Sequence, residues 1–280
     1  MRTITCDLIA ETITGLCQTA NFHLPDDLKN ALARARQLES SATGQSVLDD
    51  LISNAELADC NSMPICQDTG MVVVFAEVGQ DVHITGGSFE DAVNRGVASG
   101  YRSGCLRASV VADPLNRNNT GDNTPAVIHV TLVPGERLRL IVAPKGFGSE
   151  NMSAARLLKP SEGREGVRRF LLDTVEKAGP NPCPPVVVGV GIGGTLEQAA
   201  ILAKRALLVP TGQDHPDRET ARFEGELLDA VNHLGIGPGG LGGTQTALAV
   251  HILTYPTHIA GMPVVVNMSC HATRHAEAVL

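Results

Sequence analysis

Apolar residues recur three and four positions apart through most of the first sixty residues. Leu28, Ala31, Leu32 and Ala35 show the spacing, which gathers side chains on one face of a helix. Helices are predicted over 5–18, 24–38 and 44–58, so the N-terminal fifth reads as helical. The pattern then changes: MVVVFAEVG at 71–79 is a β-branched run and reads as a strand. A helix follows near 88–101, opened by Ser88 three residues before Asp91, the spacing of a helix cap. PAVIHVTLV and RLRLIVAP flank Pro134-Gly135, a turn signal, and predict an antiparallel hairpin near 125–144. Beyond the glycine-rich KGFGSENMS come a helix near 162–177, a strand at 186–190, helices near 195–207 and 218–233, and strands near 246–253 and 262–268. Such interleaving predicts an α/β fold, a mixed sheet with surrounding helices and a helical N-terminal region. No repeat or obvious linker divides the chain, which reads as a single domain over 1–280 with a helical lobe at about 1–60.

Composition removes several functions. A net charge of −8 argues against a general nucleic-acid binder, and with no tryptophan and only 3% aromatics there is little to stack on bases. Hydrophobic residues at 43% and charged residues at 19% describe a chain that buries a core. No segment approaches the roughly 20 apolar residues that span a bilayer. The start, MRTITCDLIAETITG, has no basic region followed by an apolar stretch, so a soluble, cytoplasmic protein without membrane association is expected.

One motif suggests a nucleotide. VVVGVGIGGTLEQAAILAKRALL places Gly189, Gly191 and Gly194 in G-x-G-x-x-G spacing between a strand and a helix. A dinucleotide site also wants an acidic residue at the end of a following strand, and here Asp214 and Asp217 fall in a polar Pro/Gly stretch. Glycines that let a strand turn into a closely packed helix are the favoured reading.

The cysteines carry more. Seven are present, with no C-x-x-C pair, and the odd number speaks against a complete disulfide framework. Cys6, Cys17, Cys60 and Cys105 sit in ordinary helical or apolar surroundings. Cys66 in PICQDTG, Cys183 in NPCPPV and Cys270 in NMSCHATRH sit in polar or proline-bounded turns instead. Prolines on both sides of Cys183 remove backbone donors and fix the local chain, which presents a sulfur outward. Three such thiolates could hold zinc with one open position, or three irons of a [4Fe-4S] cluster with the fourth left open.

PICQDTG, KGFGSENMS, CPPVVVGVGIGGT and MPVVVNMSCHATRHAEA, in this order, resemble the alpha subunit, or N-terminal part, of the iron–sulfur-dependent class I fumarate hydratase family, which includes L(+)-tartrate dehydratase. The resemblance spans about the whole chain. It implies that Cys66, Cys183 and Cys270 ligate a [4Fe-4S] cluster whose open iron is the catalytic centre of a hydro-lyase. It implies substrate contacts from Gln67 and Asp68, with Asp68 a candidate proton donor or acceptor. Arg107 of CLRAS would bind a substrate carboxylate, Gly146 and Gly148 would offer backbone contacts, and His258 of YPTH would match a substrate-contacting histidine. Water addition to a dicarboxylate asks for these groups: a Lewis acid, a proton carrier and a local cation for a dianion.

Each residue also has a plainer reading. Asp68 could merely cap the turn at Thr69-Gly70, Lys145 reads as a solvated charge, Arg102 and Arg117 as charged surface, and His271 as a donor to a cluster sulfur. The segment Thr120-Gly121-Asp122-Asn123 resembles an NTGxN-type family segment without an evident task.

Single-chain members of the family continue into a second domain, whereas this sequence ends ten residues after Cys270. The expectation is a beta subunit that completes the active site, in an α2β2 assembly, on a small dicarboxylate substrate. GSENMS and GIGGT look more like the fumarase branch, so fumarate and malate are the expected pair, with L(+)-tartrate the alternative. An NAD-binding oxidoreductase built on the glycine turn, or a non-catalytic assembly subunit, are the readings from other classes.

Overall fold

The computed structural model describes residues 2–280. In chain order its elements are β1 (Arg2–Thr5), α1 (Cys6–Phe22), α2 (Asp26–Leu38), α3 (Ala42–Asn61), β2 (Met71–Gly79), β3 (Val82–Thr85) and α4 (Phe89–Ser103). Then follow β4 (Val127–Val133), β5 (Leu138–Lys145), the single turn α5 (Phe147–Glu150), β6 (Ala154–Leu158), α6 (Gly163–Ala178) and β7 (Val186–Gly193). The chain closes with α7 (Leu196–Ala206), α8 (Arg218–Asn232), β8 (Ala247–Tyr255), β9 (Met262–Ser269) and β10 (Ala276–Val279). The fold is α/β, with helices around mixed sheets, and it separates into two compact units. The first holds residues 2–24, Ala55–Phe147 and Arg274–Leu280; the second holds Pro25–Asn54 and Gly148–Thr273.

In the first unit a sheet runs in the order β10-β5-β2-β4, and β1 pairs with β3 beside it. β2 is apolar on both faces, with Val72 and Val74 buried on one side and Val73 and Phe75 on the other, which suits it to the centre. Its one face packs on α1 and α4 through Ile9, Ile13, Val93 and Val97. The expected hairpin of β4 and β5 does not form. β4 runs parallel to β2 and β5 antiparallel to it, so β2 lies between the two strands that Pro134-Gly135 connects. The turn signal was real, but the doubly apolar strand took the place between its arms.

In the second unit the order is β6-β9-β7-β8, with β7 parallel to β8 and antiparallel to β9. Phe170 and Leu171 of α6 and Leu227 of α8 cover one face, and α7 covers the other through Ala199 and Ala203. The G-x-G glycines make that second contact possible. A Cβ at Gly189 would lie 2.1 Å from Ala203 O, and one at Gly191 1.9 Å from Ala199 O. Glu224 of α8 reaches the outer strand β8, where its carboxylate accepts from Ile252 N at 2.7 Å. No helix among the described residues is long and apolar enough to cross a membrane.

β8 also carries His251, only 4% exposed, with neither ring nitrogen hydrogen-bonded. Burial pushes its pKa down to about 4, a pull that Asp27 opposes and His215 reinforces. Because the folded pKa lies below the ordinary 6.5, the unfolded chain binds the proton first. Stability is complete above pH 6.5 and falls as pH drops toward 4, by about 3 kcal/mol from this residue. Urea unfolding across that window should show the slope, and His251→Leu should flatten it; an unchanged slope in the variant would assign the acid sensitivity elsewhere.

Candidate active site

In the first unit, Gln67 is exposed and Cys66 and Asp68 half-buried, in the segment that leaves α3 and enters β2. Both oxygens of Asp68 are engaged. Oδ1 accepts from Gly70 N at 3.0 Å, the turn cap foreseen in the sequence, and Oδ2 accepts from Phe147 N at 2.8 Å. The glycine-rich segment can come this close because a Cβ at Gly146 would stand 3.1 Å from Oδ2. The Asp68 amide points at the Cys66 sulfur, 3.4 Å away.

Buried groups hold this turn by its carbonyls. Tyr101 hydroxyl lies 2.6 Å from Thr69 O and 3.1 Å from Gly70 O, and burial keeps its phenol protonated by raising its pKa well above the usual value. The guanidinium of Arg274, itself buried, donates to Asp68 O. Thr69 ties the turn to the segment of Arg107: its hydroxyl donates to Arg107 O at 3.0 Å and accepts from Arg107 N at 3.1 Å. Arg107 is thus fixed by its backbone while its side chain is exposed. Lys145 is buried rather than solvated, and its ammonium reaches Gly146 O at 3.4 Å; β5 is central to its sheet and carries the residue inward.

In the second unit, the sheet brings Cys183 and Cys270 to one end. Cys183 precedes β7 and Cys270 follows β9, whose Ser269 pairs with Val187. His271 N donates to Cys183 O at 3.3 Å, and His271 Nδ1 lies 3.1 Å from the same oxygen, which makes Nδ1 the protonated nitrogen. Cys183 is exposed, at φ +56°, and Cys270 is half-buried. Gly148 lies nearby, since a Cβ there would be 3.6 Å from Asn181 O. His258 is not brought to this end. It is exposed beyond β8, beside Gly194, Thr195 and Tyr255, with Nδ1 accepting from Ala260 N at 3.2 Å. The strand from Val187 to Gly193 separates it from the cysteine pair by roughly 20 Å.

The donor chemistry fits an iron–sulfur cluster. These three cysteines stand exposed or half-buried in polar turns, whereas Cys17 is buried in the core with its thiol pushed up to about 12. Soft sulfur suits iron, and the Asp68 amide supplies the kind of N–H···S contact that tunes a cluster. Among the described residues no three His, Cys, Asp or Glu side chains gather as ligands of a single metal ion; a cubane spreads its thiolates over separate irons.

The model of one protein family, described as fumarate hydratase (Fumerase), matches residues 10–279. The chain belongs to this family. Similar proteins include the putative L(+)-tartrate dehydratase subunit alpha of Methanocaldococcus jannaschii, 42% identical over 96% of each chain. Another is the L(+)-tartrate dehydratase subunit alpha of Escherichia coli K12, 31% identical over 95% of this chain and 88% of its own. This member of the fumarate hydratase family is therefore a hydro-lyase subunit.

Several residues that shape the site in this fumarate hydratase family chain escaped the sequence reading. Glu150, in the glycine-rich segment, accepts from Lys204 at 2.6 Å and from Asn267 at 3.1 Å, pinning that segment to β9 and α7. Asn267 was the available signal, a lone amide within the apolar VVVNMS. Tyr101 acts on backbone carbonyls, as do Thr69 and Arg274, whose surroundings the sequence marked but whose task no side-chain spacing reveals.

Proposed function

We propose that the chain is the alpha subunit of a [4Fe-4S]-dependent hydro-lyase acting on L(+)-tartrate, completed by a beta subunit in an α2β2 assembly in the reducing cytoplasm. The observation that carries the reading is the junction of Asp68 and Arg107: a carboxylate held by two backbone amides, linked through one hydroxyl to an exposed cation. The alpha-subunit names of the relatives support the partner, and their tartrate names support the substrate over the fumarate expected from sequence.

Arg107 pairs bidentately with one substrate carboxylate, supplying the local attraction that a net acidic chain lacks. Gln67, exposed next to Asp68 in the chain, orients a substrate oxygen by hydrogen bonding. The N–H groups of the glycine-rich segment at Gly146 favour negative charge. Asp68 takes the proton from one of the two hydroxyl-bearing carbons of L(+)-tartrate; as that C–H bond breaks, the double bond forms, hydroxide departs from the neighbouring carbon, and the enol left behind tautomerises to the 2-oxo acid. Cys66, Cys183 and Cys270 would hold the cluster, which when bound supplies a Lewis acid for that hydroxyl.

The family's own description favours fumarate and malate as a second reading, and one hydroxyl separates the two pairs. Comparing kcat/KM for L(+)-tartrate and L-malate on the oxygen-free alpha–beta complex decides between them. A tartrate preference is expected; a clear malate preference would replace it, and turnover of neither by cluster-loaded complex would refute the substrate class.

A further inference from the structure

We infer that Asn123 is a positioning residue that sets Arg107 against Asp68, which gives the Thr120-Gly121-Asp122-Asn123 segment its task. The inference rests on the proposed assignment of Asp68 and Arg107 to the substrate site. Asn123 is 0% exposed, and both ends of its amide are committed. Oδ1 accepts from Ser109 N at 2.8 Å, and Nδ2 donates to Gly70 O at 3.1 Å. Ser109 lies two residues after Arg107 and Gly70 two residues after Asp68, so one planar amide spans both functional segments at equal remove.

A single link leaves two segments able to rotate about it. The Thr69 hydroxyl, bonded to both Arg107 N and Arg107 O, is the second link, and the pair fixes orientation as well as distance. Only an amide serves at position 123. Its two partners are a donor and an acceptor, so a carboxylate would set oxygen against Gly70 O, and an apolar side chain would leave Ser109 N without its acceptor and Gly70 O with the Tyr101 hydroxyl alone. The backbone agrees, since Asn123 sits at φ +64°, where asparagine is among the few residues tolerated.

The amide is not needed to fold its own loop. Asp122 Oδ1 accepts from Thr124 N at 3.0 Å and from its hydroxyl at 2.7 Å, and Thr120 N donates to Val110 O at 3.0 Å. Asn123 therefore reaches away from a turn already held by its neighbours.

The test uses the cluster-loaded complex with its partner subunit, with L(+)-tartrate and L-malate as probes. Asn123→Gly removes the amide at a backbone angle glycine accepts. With iron content and Tm near wild type, it should raise KM at least about tenfold, through misplacement of Arg107, and lower kcat. In an Arg107→Ala background the same change should alter KM by less than about twofold, a coupling that loss of general stability would not produce. Should Asn123→Gly fail to assemble, Asn123→Asp, which preserves shape, enters the same cycle. A kcat/KM within about twofold of wild type, or an equal KM penalty in both backgrounds, would overturn the inference. If Arg107→Ala itself leaves KM unchanged, the substrate-site assignment falls and takes this inference with it; an effect of Arg107 without one of Asn123 defeats the positioning role alone.

Discussion

Asp68→Asn lowers the kcat of the assembled enzyme by about 10²- to 10⁴-fold, the loss expected when a positioned proton carrier is removed. The variant keeps the shape of the side chain and cannot carry the proton. It also turns an amide NH₂ toward either Gly70 N–H or Phe147 N–H, both of which now donate to carboxylate oxygens. One hydrogen bond is lost whichever way the amide is turned. Iron content should hold, because the backbone amide of residue 68 that faces the Cys66 sulfur is unchanged. Steady-state kinetics with iron analysis on the same preparation gives the answer. A kcat within about threefold of wild type would reduce Asp68 to the cap of its turn.

Cys183→Ser abolishes the cluster. About four irons and as many labile sulfides per chain are expected in protein purified without oxygen, and near none in the variant, because a serine oxygen is a hard and poorly ionised substitute for thiolate. Cys183 is exposed, on a turn fixed by Pro180 O accepting from its own amide at 3.0 Å, so the substitution opens no core cavity. Cys66→Ser and Cys270→Ser should behave alike. Cys17→Ser is the contrast: the residue is buried in the core, and iron content should stay at the wild-type value even where stability drops. Retention of iron by Cys183→Ser would remove this residue from the ligand set.

What the sequence disclosed follows from range. α2 and β2 could be read directly, because helical spacing at Leu28, Ala31, Leu32 and Ala35 and the β-branched run at 71–79 are local signals. The pairing of β4 with β2 could not, since it depends on which strand competes best for the central place. The short strands β1, β3, β6 and β10 gave too few residues for a period to show. At the candidate site, Cys66, Cys183 and Cys270 stood out because proline and polar neighbours break the surrounding pattern. The tasks of Asn123, Tyr101 and Arg274 did not, because each supports a backbone carbonyl far away in the chain. Lys145 was misread because a charge at the end of an apolar strand looks solvated until the strand is known to be central.

The order in which the chain leaves the ribosome meets the division into units at an awkward place. Residues 55–147 emerge early, yet β10, which pairs with β5, and Arg274, which holds the Asp68 carbonyl, come more than a hundred residues later, after nearly all of the other unit. Until then β5 presents an open edge on the side β10 will fill, the kind of surface that recruits other chains. The nascent protein therefore waits longest for the part that its proposed proton carrier depends on. Yield of this chain is expected to respond to chaperone supply during synthesis as well as to the stability of the finished fold.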